Sequence, residues 1–106
     1  MNVTEWVQKS TANAKAHGFL DTERTLAHDI AGVHSELSEA LRSYSLEEPY
    51  FYYGEDGKPE GVGVELADAM FRIMTICGER GIDLESIMEK KYNYNIGRPW
   101  MHGKKF

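Results

Sequence analysis

The 106-residue chain has one cysteine, three prolines and no long apolar run. Cys77 alone closes no intramolecular disulfide, and no Cys or His neighbour gives it zinc-ligand spacing, so it reads as a small core residue. The prolines, at positions 49, 59 and 99, leave long stretches free to be helical. The longest apolar run falls far short of the roughly 20 residues of a membrane span, and Glu5 and Lys9 stand where a signal core would be. A cytoplasmic chain with no membrane partner is expected. Positive charge is also scarce. Twelve Lys and Arg against 17 Asp and Glu give a net −5 and a pI near 5.3, which argues against the basic face that a nucleic-acid duplex demands. Repeats at solenoid periods and low-complexity tracts are absent.

With 42% hydrophobic and 27% charged residues, the composition is that of a folded globular chain, and its length fits one domain over residues 1–106. A domain this small buries a limited share of its surface, so its core would gain from a partner subunit. The pattern predicts a helix over residues 4 to about 17, with Gly18 at its end. A second should start at Asp21 or Thr22 and run to about Ser45, since Leu26, Ile30, Val33, Leu37, Ala40, Leu41 and Tyr44 recur at three and four. Residues 46–58 lose that period and collect Pro, Gly, acids and aromatics, the signature of a loop.

A third helix is expected from Pro59 or Glu60 to Cys77, with Gly78 and Gly81 available to end it. Its apolar arc is wide, through Val62, Leu66, Ala69, Met70, Ile73, Met74 and Cys77. Asp83 caps a fourth helix that reaches about Asn95, and Pro99 bars its continuation. No strand is expected, and the fold class is all-α, an antiparallel bundle of about four helices.

Two acidic pairs stand out on this frame. Residues three apart on a helix project about 60° from each other, so Glu36/Glu39 and Glu65/Asp68 each set two carboxylates side by side. Like charges so placed repel, and a hard divalent cation that prefers oxygen ligands offsets the repulsion. Gly32, Ser35 and Ser43 leave room beside the first pair, and the second lies on the narrow polar strip left by the third helix, with Gly61 and Arg72. If the two helices pack antiparallel across residues 46–58, the strips face each other as a four-carboxylate cluster. The plainer alternative is a solvated acidic face, with Asp68 and Arg72 as an ordinary i,i+4 ion pair. A di-iron bundle would need Glu-x-x-His on two helices, and the sequence has none.

Three segments, taken together, resemble the MazG-like all-α nucleoside triphosphate pyrophosphohydrolases: His34-Ser35-Glu36-Leu37-Ser38-Glu39-Ala40-Leu41, Gly61-Val62-Gly63-Val64-Glu65-Leu66-Ala67-Asp68 and Gly81-Ile82-Asp83-Leu84. The likeness is to short stand-alone members and runs from the second helix to the C-terminus, more loosely into the first helix. It implies that Glu36, Glu39, Glu65 and Asp68 bind Mg²⁺, with Mn²⁺ able to substitute. It also implies cleavage of a nucleoside triphosphate to its monophosphate and pyrophosphate, in a homodimer or homotetramer. Glu39 is the acid assigned to orient or deprotonate the attacking water. The tail resembles the family's Lys-x-x-x-Asn-x-x-Arg-Pro, which would make Lys91, Asn95 and Arg98 holders of phosphate or nucleotide. Ser35 departs from the many relatives that carry a third acid there.

Other chemistry-bearing residues take plainer readings. His17, His28 and His34 share no metal spacing, and His102 in the glycine-bearing tail is the exception kept as a substrate candidate. Trp6 is read as packing, and the aromatics at positions 50–53 are equally suited to packing or to stacking on a base. The rival functions are a non-catalytic helical interaction module and a related enzyme such as a phosphoribosyl-ATP pyrophosphohydrolase.

Overall fold

In the computed structural model residues 1–103 are described, His102 by its backbone alone, so its side chain lies outside the described residues. Four α-helices and a small hairpin follow one another: α1 (Val3–Ala16), α2 (Leu26–Ser45), β1 (Tyr52–Tyr53), β2 (Pro59–Glu60), α3 (Val62–Arg80) and α4 (Leu84–Ile96), then a 3₁₀ turn at Trp100–Gly103. The all-α expectation holds at this level. The helix starts are capped as their sequences allow. Asn2 and Glu5 form a reciprocal capping box, with Asn2 Oδ1 accepting from the Glu5 amide at 2.8 Å, and Asp83 Oδ1 accepts from Ser86 N at 3.2 Å.

Three boundaries differ from the sequence expectation, each for a local reason. Helix α2 starts at Leu26, capped by Thr25 Oγ1 at 3.1 Å from His28 N, and not at Asp21 or Thr22. Those two residues belong to a loop gripped by Arg24, whose Nη1 donates to the carbonyls of Phe19 (3.0 Å) and Thr22 (2.8 Å). Pro59 lies in a strand, paired with Tyr53 while Tyr52 pairs with Glu60, so residues 46–58 include half of an antiparallel hairpin. Two-residue strands are too short to leave a period in the sequence, and an edge is where proline is tolerated. Helix α3 passes through Gly78 and stops at Gly81, whose φ of +67° is the left-handed cap. Gly78 serves the crossing with α1, because a Cβ there would run into Thr11 Oγ1.

Helix α3 is central: α1 lies on one side and α2 on another. Asp29 meets Arg80 and Glu36 meets Arg72, so α2 and α3 run antiparallel. The core is thin, with Val7, Met74 and Cys77 buried together and Val3 and Leu84 packed on them. Helix α4 is anchored near its start, where Glu85 Oε1 accepts from Thr4 N at 3.3 Å. Charge ties the 18–25 loop to both central helices: Arg24 to Asp29 (2.9 Å) and Glu79 (2.6 Å), and Arg80 to Asp29 (2.8 Å). Burial works to raise the Asp29 carboxyl, but the two guanidiniums outweigh it and hold it below its ordinary value. No described helix is long and apolar enough to cross a membrane.

Candidate functional site

The antiparallel pairing of α2 and α3 brings the two polar strips together. Carboxylate oxygens of Glu36, Glu65 and Asp68 lie within 4.8 Å of one another. Glu39, more exposed, stands just outside this trio, within hydrogen-bonding reach of Glu65. The acids share a cleft of about 250 Å³ walled on one side by the hairpin, which contributes Tyr52, Lys58 and Glu60. The hairpin reaches them because two glycines give way to it. Gly61 (φ +115°) and Gly63 lie against the main chain of residues 49–50, and Gly63 N donates to Tyr50 O at 2.8 Å. A Cβ at Gly61 would stand 2.5 Å from Pro49 O and 2.6 Å from Tyr50 O.

Burial and neighbouring charge perturb two of these acids. Burial, then contact with Glu39, then the charges of Asp68 and Glu36 push the Glu65 carboxyl up to about 7. Asp68 is raised by burial and by Glu36, with Arg72 and Lys58 pulling the other way. The donor set is all hard oxygen and only partly neutralised, by Arg72 at Glu36 and by Arg72 and Lys58 near Asp68, which fits a divalent cation of the Mg²⁺ or Mn²⁺ kind.

A second, larger cleft of about 560 Å³ lies between α1 and the α2–α3 pair and adjoins the first, with Glu36 and Asp68 lining both. Its wall is aromatic: Trp6 and Phe71 pack with ring centroids 5.9 Å apart, and Phe19 comes from the loop that Arg24 holds. Polar groups interrupt that wall, among them the Ser10 and Thr75 hydroxyls, 2.9 Å apart. Arg72 stands where the clefts meet. It does not serve as an i,i+4 partner bonded to Asp68; its Nε donates across to Glu36 Oε1 at 2.8 Å.

The cations named from the tail lie elsewhere. Lys91, Asn95 and Arg98 line neither cleft; Lys91 Nζ and Arg98 Cζ sit 5.0 and 5.4 Å from the Tyr94 ring centroid, and Asn95 is half-buried. Of the aromatics at positions 50–53, Tyr52 alone lines the acid cleft, its hydroxyl donating to Glu48 at 3.2 Å, while Phe51 and Tyr53 pack edge to face. Trp6 both packs and lines a cleft. Sequence reasoning missed Lys58, which a hairpin delivers, and the cross-helix role of Arg72, for which its place on the polar strip was the available signal. No protein-family model matches this chain, and neither a curated protein nor a solved structure does so.

Proposed function

We propose that this chain is a Mg²⁺-dependent nucleoside triphosphate pyrophosphohydrolase of the MazG-like kind, acting as a homodimer or homotetramer. The observation that carries the reading is the meeting of Glu36, Glu65 and Asp68 across two helices, beside an aromatic cleft large enough for a nucleoside. Acids alone favour only a cation, and aromatics alone only packing. Their adjacency favours a ligand with a charged end and a planar end.

In this reading Glu36, Glu65 and Asp68 hold the cation, with Glu39 completing the set on the Glu65 side. When bound, a divalent cation supplies charge neutralisation for the phosphates and for the departing pyrophosphate. Glu39, the most exposed of the four, orients the attacking water and accepts its proton at a carboxylate oxygen. Lys58 adds positive charge at the hairpin edge, and Trp6 and Phe71 take the base by stacking. The resemblance gives Lys91, Asn95 and Arg98 a phosphate-holding role, but they line neither cleft of the protomer, and no step is routed through them.

The test is a panel of ribo- and deoxynucleoside triphosphates, with phosphoribosyl-ATP included, incubated with the protein and Mg²⁺. Monophosphate and pyrophosphate should appear in equal amounts from at least one substrate. Glu65→Gln and Asp68→Asn should each lower the rate by at least about 100-fold, in the range seen when charge-stabilising groups are removed, with helical circular dichroism retained. Absence of both products across the panel overturns the reading.

A further inference from the structure

Arg72 spans the gap between α3 and α2. Its side chain is 52% exposed, yet its Nε reaches a Glu36 carboxylate that is only 13% exposed. Gly32 on α2 makes the room: a Cβ there would come within 2.9 Å of Arg72 Nη1. Among the described residues neither Nη has a hydrogen-bond acceptor, so the guanidinium is held by one bond at one edge. A divalent cation seated among Glu36, Glu65 and Asp68 would share Glu36 with this guanidinium, and like charges a few ångströms apart repel. The displaced side chain has one evident destination, since it already lines the aromatic cleft. A nucleotide with its base in that cleft and its outer phosphates at the acids places its innermost phosphate at this junction.

We propose that Arg72 is an exchangeable counter-ion: it neutralises Glu36 until a divalent cation arrives, then turns its guanidinium to the phosphate nearest the nucleoside. This role rests on the pyrophosphohydrolase reading above. Guanidinium suits both tasks, because its planar fork matches carboxylate and phosphate alike. One long, half-exposed side chain would thus couple the filling of the two clefts.

The first readout uses no catalysis. Mn²⁺ binding to the full chain, without nucleotide, is followed by the loss of the free-ion paramagnetic resonance signal. Arg72→Ala removes a competing cation, so Mn²⁺ should bind about three- to fivefold tighter, the scale of one partly exposed ion pair. Gly32→Ala keeps every charge but crowds Nη1 away from Glu36, and should also tighten Mn²⁺. With a cleaved nucleotide, Arg72→Ala should raise KM by about tenfold through the lost charge-assisted contact, and Arg72→Lys should recover part of it. Tighter metal with weaker substrate is a pairing that mere structural damage would not give. Unchanged or weaker Mn²⁺ binding in both variants, or an unchanged KM in Arg72→Ala, overturns the role of Arg72 alone. Failure of the wild-type chain to bind Mn²⁺ overturns the metal reading itself, and this role with it.

Discussion

The Glu65 carboxyl, pushed up to about 7 by burial and by Glu39, Asp68 and Glu36, holds its proton far more tightly than a glutamate in the unfolded chain, near 4.5. The native state therefore binds the extra proton between those two values, and the stability it contributes is complete below about 4.5 and lost as pH rises through about 7. Thermal melts of the metal-free protein should show Tm falling across that window, and Glu65→Gln should flatten the fall. Added Mn²⁺ should restore Tm at the alkaline side, because a ligand selective for the native state stabilises it by mass action. Asp29 works in the opposite sense and at lower pH. Its carboxyl is held below the ordinary range, so its contribution disappears only under more acid conditions. The four acids were legible in the sequence because helical spacing fixes which side chains share a face. The partner of Arg72 was not, since a bond from α3 to α2 depends on how the helices pack and not on their period.

The elements teach a related lesson through glycine. Gly78 and Gly81 both read as helix stops, but only Gly81 adopts the left-handed conformation that makes it one. Gly78 sits inside α3 at the crossing with α1, against a Thr11 whose hydroxyl donates to Val7 O at 2.7 Å. Gly78→Ala should therefore destabilise the fold by about 1–3 kcal/mol, the usual cost of overpacking, despite alanine's better helix propensity. In urea melts that change appears as a lower midpoint at unchanged slope. A stabilised Gly78→Ala protein would contradict the close crossing. Helix existence was legible throughout, because each of α1 to α4 carries a cap or an apolar stripe. The start of α2 was not, because Asp21, Thr22 and Thr25 are all competent caps and the grip of Arg24 on the 18–25 loop decides among them.

At the scale of the whole molecule, the protomer is surface-rich. Its accessible area of 8303 Å² exceeds the roughly 6,000 Å² of a compact monomer of this mass, and its radius of gyration is 16.4 Å where about 13 Å is usual. The excess is of the order that a stable subunit interface removes from water. The apolar stripe of α2 explains where it comes from: Ala40 is buried, but Leu41 and Tyr44 are 68% and 67% exposed, and Leu66 and Met70 of α3 are about half exposed. We expect a second copy of this chain to cover that surface, so sedimentation should give a dimer or larger species. Leu41→Glu should shift it toward monomer and lower Tm, and a wild-type chain that sediments as a monomer would remove the argument. The sequence showed the stripe but not its exposure, since a periodic pattern marks an apolar face without saying which molecule covers it.

The close approach at Gly61 reaches further than the hairpin it admits. Because the main chain at residues 49–50 rests where a Cβ would be, the hairpin wall stands against the acid cleft that Glu65 lines. A methyl group at position 61 would lever the wall outward, hydrate the carboxylates and lower the proton affinity of Glu65 toward that of a free glutamate. Gly61→Ala should then flatten the pH dependence of the metal-free melt much as Glu65→Gln does, with every acid still in place. The hydration of the cleft, and through it the proton affinity of Glu65, would thus be set by an atom that the chain leaves out.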